Sequence, residues 1–273
     1  MAAAQHARSW LATFAFSMTL ALSSPCITYS AAARDLQRTQ PTGATPSLAD
    51  QPSQPPKMIV DAVLDAARST GIDPALLLTI AWTESRFRAK AKNRTTSAAG
   101  LLQFTKQTWL ETMKAFGEKH GLSHLADLIH RSDVGHLVVH ASARNRIWAL
   151  RNDPRIATLL AAERLDYQKE MSKDHPLQLV DLYLIHAMGV TGGNRFIEAV
   201  TDRPSTPCKA VIGDAAWNGS GLFKDLPHGA DTSLGAAYKV ISTRFEQRRS
   251  YYADLLEDDA AASHPEADNL AAH

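Results

Sequence analysis

Apolar residues recur every three or four positions along most of the chain, which predicts helices. The predicted helical segments are 57–69, 74–86, 106–117, a segment opened by Asp153-Pro154, 177–188, and a long last helix marked by apolar positions from Leu234 to Leu255. Few segments alternate with a period of two, so the pattern does not predict a large sheet. The fold class that follows is mainly α, with at most a small irregular sheet, which residues 88–99 could supply.

The helix predicted over 74–86 carries an acid among its apolar positions. Asp73 is a good N-cap, and Pro74 suits the first helical position because its missing N–H would be unpaired there. Positions 77, 80, 81 and 84 share one face; the first three are Leu, Ile and Ala, and the fourth is Glu84. The spacing therefore predicts a carboxyl group at the edge of the core, near the C-terminal end of the helix.

Such a position changes the chemistry of the Glu84 carboxyl. Desolvation and the negative end of the helix dipole both disfavour the ionised form, so the pKa is expected to rise. A carboxylic acid that stays protonated near neutral pH can donate a proton to a leaving group. On this pattern alone, Glu84 is equally a partly buried glutamate paired with an arginine, or a last-turn residue that reaches solvent.

Composition and charge narrow the class of protein. The chain has 273 residues, of which 45% are hydrophobic and 21% charged, which is enough for a hydrophobic core. Residues 257–273 contain five acids and no Lys or Arg, which leaves residues 34–256 with a formal charge of +5. A basic body suits an acidic polymer, but no cluster of Lys and Arg with interleaved aromatics indicates nucleic acid as a partner.

The N-terminal residues 1–33 have the features of a secretory signal peptide. Arg8 precedes an apolar run from Leu11 to Leu22, and small residues near Ala33 can form a cleavage site. A membrane-spanning helix needs about 20 apolar residues, so an uncleaved anchor is the weaker alternative, and a lipoprotein attached through Cys26 is weaker still. The predicted location is periplasmic or secreted.

The remaining chain divides into three predicted parts. Residues 34–57 are rich in Pro, Gln and Ser and are predicted to form a disordered tether, residues 58–256 the folded domain, and residues 257–273 an acidic disordered tail. Cleavage of the signal leaves Cys208 as the only cysteine, so no disulfide framework is expected. The domain is predicted to be a monomer.

Three ordered motifs carry a resemblance to a known family. Glu84-Ser85, then Gly100-Leu101-Leu102-Gln103, then Tyr183-Leu184-Ile185-His186-Ala187-Met188-Gly189 resemble the soluble lytic transglycosylase family, whose SLT domain has a goose-type-lysozyme-like fold. The resemblance covers most of residues 72–256. It is to a bacterial branch with Tyr-x-x-His where many members have Ala-Tyr-Asn-Ala-Gly. The resemblance implies a lysozyme-like helical domain without a cofactor.

The resemblance also implies a substrate and a reaction. The family cleaves the β-1,4 bond between N-acetylmuramic acid and N-acetylglucosamine in peptidoglycan and leaves a 1,6-anhydro ring. Glu84 would act first as acid and then as base, and the acetamido group of the substrate would stabilise the intermediate, so no enzyme nucleophile is required.

Five further residues are implied as substrate-binding residues. Ser85 would support the end of the catalytic helix, Gly100 would let the backbone approach the cleft, and Gln103 would bind an N-acetyl group. Either Tyr183 or His186 would contact Glu84. The alternatives are a solvent-facing Gln103, a plain polar Ser85 and a core histidine at 186.

Two other functions stay open at this point. A hydrolytic muramidase would cut the same bond with water, and a non-catalytic cell-wall-binding or secretion-assembly factor could share the fold, with a cell-envelope secretion apparatus as a candidate partner. A two-carboxylate hydrolase needs a second acid about 5–9.5 Å from the first. Residues 85–110 contain no Asp or Glu, although Asp181 or Glu198 could fold back into the cleft.

The histidines do not predict a metal site. His136 and His140 are four residues apart, a spacing that suits two ligands on one helix, but no carboxylate or cysteine completes a known zinc-binding pattern.

Overall fold

The computed structural model describes residues 51–219, 221–224 and 226–263. The predicted signal peptide over 1–33, the tether up to residue 50 and the tail after residue 263 lie outside the described residues and remain predictions.

Helices make up most of the described chain. They are α1 Lys57–Thr70, α2 Pro74–Ser85, α3 Lys106–Phe116, α4 Ser123–Ala126, α5 Arg144–Leu150, α6 Pro154–Met171, α7 Leu179–Asp202, α8 Cys208–Gly219 and α9 Leu234–Ser263, with short 3-10 turns at Gly117–His120, Ala141–Ala143, Gly221–Phe223 and Gly229–Asp231. The one sheet in this part of the chain pairs β1, Ile129–Arg131, with β2, Leu137–Val139, in antiparallel register. The predicted mainly α class with a small sheet is confirmed.

The centre of the domain is α2. The sequence predicts one apolar face, but almost every side chain from Ala75 to Trp82 is buried, so the whole circumference of the helix is covered. Helices α1, α7 and α9 pack against it. A helix that is apolar all round belongs in a core, and the ionisable Glu84 therefore lies at the end of the most enclosed helix.

Capping residues fix the starts of α2 and α6. The Asp73 carboxylate accepts a hydrogen bond from Ala75 N at 2.8 Å, with Pro74 as the first helical residue, as the sequence predicts. Asp153 caps α6 in the same way. Gly189 interrupts α7 where the sequence predicts a turn: its φ of 74° and ψ of 162° are not helical, so α7 consists of two helical halves that meet at this glycine.

Two predicted boundaries need correction. Helix α9 continues to Ser263, so residues 257–263 are helical and not part of a disordered tail; three consecutive alanines at 260–262 favour helix strongly. The ordered domain also begins before residue 58, since Lys57 opens α1 and the Tyr252 hydroxyl donates a hydrogen bond to the Ser53 carbonyl at 3.1 Å. None of the described helices has both the length and the apolar character needed to cross a membrane.

Candidate active site

Glu84 is the penultimate residue of α2 and is half-buried. Within the described residues its carboxyl makes no ion pair and no hydrogen bond, so the partnered-glutamate alternative does not describe it. Burial raises the pKa of Glu84 to about 7. A carboxyl group with that pKa is present in both its acid and its base form near neutral pH, which suits general acid–base chemistry.

The chain leaves α2 through two residues in the left-handed backbone region. Arg86 has a φ of 53° and Phe87 a φ of 59°, which is uncommon for residues other than glycine. The Arg86 guanidinium lies 3.6 Å from the centre of the Trp82 ring and donates to the Trp82 carbonyl at 3.1 Å, while Arg248 of α9 lies 4.8 Å from the same ring centre. These contacts, together with the buried Phe87 ring, hold the strained turn directly after Glu84.

Tyr183 faces the end of α2. Its ring is buried and stacks on Phe245 of α9 with 5.5 Å between ring centres. Burial, and after it the charge of Glu84, raises the pKa of the Tyr183 hydroxyl. Arg248, a hydrogen bond with the Thr83 side chain, and Arg86 oppose this rise. Tyr183 is therefore the member of the third motif that senses the charge of the candidate acid, and it stays protonated.

His186 lies one turn further along α7 and faces the second motif. Burial lowers the pKa of His186 to about 4, an effect that a hydrogen bond to the Leu102 carbonyl opposes. The ring is thus neutral, and its Nε2 donates to the Leu102 carbonyl at 3.1 Å, with the Phe104 ring centre 6.0 Å from its own. The structure thus brings Tyr183 within electrostatic reach of Glu84 and places His186 against the turn that holds Gln103. Direct contact of either side chain with Glu84 stays a prediction.

Gln103 adopts a left-handed conformation, with a φ of 48°, at the end of this turn. Its side-chain nitrogen donates to the Gly100 carbonyl at 2.8 Å and lies 3.4 Å from the Ala91 carbonyl oxygen. The side chain is half-buried, and within the described residues its carbonyl oxygen accepts no hydrogen bond. That oxygen is the group that could accept a hydrogen bond from the N–H of an N-acetyl group, so substrate contact by Gln103 stays a prediction.

The structure gives a reason for Gly100 that the sequence did not predict, while its predicted approach to the cleft stays a prediction. Its φ is 86°, and a Cβ atom at this position would lie 2.2 Å from the Arg151 carbonyl oxygen. The close approach is thus to the backbone after α5. Arg151 in turn donates to the carbonyls of Ser97 at 2.9 Å and Phe104 at 3.1 Å, so it clamps both sides of the turn. Sequence reasoning missed Arg151 because it lies about fifty residues from its partners and belongs to none of the three motifs.

We expect Gly100→Ala to lower the free energy of unfolding by about 3 kcal/mol, because a left-handed alanine costs about 1–2 kcal/mol and the clash with Arg151 adds to it. Urea unfolding followed by circular dichroism measures the change. Gly71→Ala is the matched control, since Gly71 has a φ of 75° and a Cβ added there would have nothing within 4 Å. Equal losses in the two variants would show that the Arg151 contact contributes nothing.

Ser85 is buried, and its hydroxyl donates to the Ala81 carbonyl at 3.0 Å. Its own carbonyl accepts from the backbone nitrogen of Arg88 at 3.2 Å and from the Arg88 side chain at 2.9 Å. This geometry stabilises the C-terminal end of α2. Direct contact with substrate is not visible in the arrangement and stays a prediction.

The acids that could have formed a second catalytic carboxylate have other surroundings. Asp181 caps α7 by accepting from Gln178 N at 2.9 Å and also accepts from the Tyr238 hydroxyl at 2.9 Å. Glu198 is exposed on the second half of α7, and Glu111 faces Arg164 at 4.0 Å. Nor does any group of three or more His, Cys, Asp and Glu side chains within the described ranges have an arrangement suited to a metal ion.

One comparison with known proteins bears on this arrangement. Residues 61–141 match the family described as Transglycosylase SLT domain. The matched segment runs from α1 to the end of β2 and contains Glu84, Ser85, Gly100 and Gln103. Tyr183 and His186 lie outside it, so their placement rests on the contacts given above.

Proposed function

We propose that this protein acts on peptidoglycan and cleaves it by a reaction that uses a single acid. The match of residues 61–141 to the transglycosylase SLT domain supports an activity of the lytic transglycosylase type. The bond is the β-1,4 linkage between N-acetylmuramic acid and N-acetylglucosamine, and the product ends in 1,6-anhydro-N-acetylmuramic acid. The protein is on this proposal a peptidoglycan lytic transglycosylase.

The observation that carries the proposal is the state of Glu84. Its pKa of about 7 comes from burial, without a contribution from a neighbouring carboxylate among the described residues. An enzyme that hydrolyses the bond with two carboxylates needs a nucleophile or a base for water close to the acid. With Asp181 engaged as a helix cap and Glu198 exposed, the described acids favour a reaction in which the substrate supplies its own attacking hydroxyl.

The reaction uses one carboxyl group twice. Protonated Glu84 gives its proton to the glycosidic oxygen, the bond from that oxygen to C1 of muramic acid breaks, and N-acetylglucosamine leaves as an alcohol. The acetamido carbonyl oxygen of the muramic acid bonds to C1 in its place. The C6 hydroxyl then attacks C1, and the bond between C1 and the acetamido oxygen breaks. The hydroxyl proton passes to the Glu84 carboxylate, which restores the acid.

Neighbouring side chains assist this cycle without titrating. Tyr183 stays protonated, and its hydroxyl lies close enough to Glu84 to be influenced by the charge of the carboxylate. His186 stays neutral and holds the turn with Gln103, whose free carbonyl oxygen would orient an N-acetyl group.

Export through residues 1–33 would bring the enzyme to its substrate. Export, the monomeric state and a secretion-apparatus partner remain predictions of the sequence.

Mass spectrometry of peptidoglycan digests tests the proposed chemistry. We expect muropeptides whose muramic ends are lighter than hydrolysis products by one water and resist borohydride reduction. A two-carboxylate muramidase gives reducing ends instead. If the digests contain only reducible muramic ends, the protein is a muramidase and not a lyase. If the strands stay intact after prolonged incubation, the remaining alternative is a non-catalytic binding factor.

A further inference from the structure

A row of cations follows the candidate acid and is not used by the proposed reaction. Residues 86–106 contain six Lys and Arg and no Asp or Glu. Arg88, Lys90, Lys92 and Arg94 are spaced two residues apart and all are exposed, while the alanines between them are half-buried. We call Lys90, Lys92 and Arg94 the cationic row.

The cationic row is not satisfied within the protein. In the part of the chain that the structure describes, none of its three side chains makes an ion pair or a hydrogen bond. By contrast, other exposed cations, such as Lys57 and Arg155, pair with acids on α1. Exposed like charges held on one short loop repel one another, and a bound anion relieves that repulsion.

The loop places the cationic row beside the candidate active site. Arg88 is tied to the end of α2 through the Ser85 carbonyl. The Ala91 carbonyl, between Lys90 and Lys92, accepts from Gly100 N at 2.9 Å and lies 3.4 Å from the Gln103 amide nitrogen. The row therefore flanks the turn that carries Gln103, and its first member is six residues from Glu84.

Peptidoglycan presents anions at a suitable place. The glycan backbone is uncharged, because the lactyl carboxyl of each muramic acid is joined to a peptide by an amide bond. The free carboxylates lie on those peptides, which branch from every second sugar. A strand bound with its muramic acid at Glu84 therefore carries such a peptide next to the scissile bond.

We propose that the cationic row is a subsite for the carboxylates of the stem peptides, so that the protein prefers peptide-bearing strands to bare glycan. This inference rests on the proposed function for the identity of the polymer. The row supplies three point charges without a fixed pocket, so binding is electrostatic and salt-sensitive, and it selects for anionic peptides without reading their sequence.

Cleavage of matched substrates tests the subsite. Uncross-linked peptidoglycan strands are compared with the same strands after an amidase has removed their peptides. For K90Q/K92Q/R94Q we expect an approximately tenfold lower kcat/KM on peptide-bearing strands at low salt, mostly through KM, and less than about a twofold change on bare strands. At about 1 M salt, where charges are screened beyond about 3 Å, the wild-type preference should vanish.

The control variant K169Q/R203Q/K239Q removes the same charge from exposed positions on or after α6, α7 and α9. It should cleave both substrates as the wild type does. Equal losses of the row variant on both substrates, or no loss on either, would overturn the subsite. If the wild type cleaves neither substrate, the proposed reaction fails, and cosedimentation of both variants with peptide-bearing and bare strands then decides the subsite by itself.

Discussion

Glu84→Gln should lower the rate of peptidoglycan cleavage by about 10²–10⁴-fold, because glutamine keeps the shape of the side chain but cannot donate and recover a proton. Release of soluble muropeptides from purified peptidoglycan measures the rate. Glu198→Gln, an exposed acid on α7, serves as the control and should retain full activity. Near-wild-type cleavage by Glu84→Gln would remove Glu84 from the reaction.

The same substitution should make the protein more stable at high pH. The pKa of Glu84 rises from an ordinary 4.5 to about 7 on folding, so the folded state binds this proton more tightly than the unfolded state does. The stabilising effect of that proton is complete below pH 4.5 and is lost as pH rises through about 7. We therefore expect Glu84→Gln to exceed the wild type by about 3 kcal/mol in unfolding free energy at pH 8, and by much less at pH 4.

Chemical denaturation at the two pH values separates this effect from a simple loss of structure. A variant that is inactive and more stable at pH 8 has lost a carboxylate whose burial lowers the unfolding free energy of the wild type. A variant that is inactive and less stable at both pH values would indicate damage to α2, and its lost activity would say nothing about acid catalysis.

The pH dependence of kcat/KM should show an acidic group with a pKa of about 7, with activity falling about tenfold per pH unit above it. The cause is that only protonated Glu84 can protonate the glycosidic oxygen. His186, with a pKa of about 4, stays neutral near and above pH 7, and Tyr183, whose pKa is raised, stays protonated. Neither residue therefore accounts for the fall in kcat/KM at high pH. Initial rates on soluble strands from pH 5 to 9, in buffers of constant ionic strength, measure the profile.

A profile that begins to fall near the ordinary glutamate pKa of 4.5 would contradict the burial of Glu84. The Tyr183→Phe variant refines the assignment. It removes the hydroxyl that lies near the Glu84 charge while leaving the ring on Phe245, so a shift of the pKa without loss of fold would show that this hydroxyl tunes the acid.

Local patterns predicted the features of the site that depend on neighbours in the sequence. The Asp73-Pro74 start of α2 and the position of Glu84 near its end followed from capping rules and helical spacing. The burial of α2 on every side did not, because periodicity shows which positions are apolar and not how many elements surround a helix.

Contacts between distant segments account for what the sequence did not predict. The clamp of Arg151 on the Gly100 turn and the placement of Arg248 on the Trp82 ring join residues that are about fifty and well over one hundred positions apart. The division of roles between Tyr183 and His186 depends on the rotation of α7 about its axis. Only packing against α2 and the turn sets that rotation.

Mounting the acid on the most enclosed helix also affects how the protein would tolerate change. Leu76, Leu77, Leu78 and Ile80 are fully buried along α2, so the position of Glu84 is set by the packing of the entire core. Small shifts of about 1 Å in a reacting group can cost two orders of magnitude in rate. Core substitutions that leave the protein folded would therefore reduce its rate first, and sequence drift in the interior would be limited by catalysis before it is limited by stability.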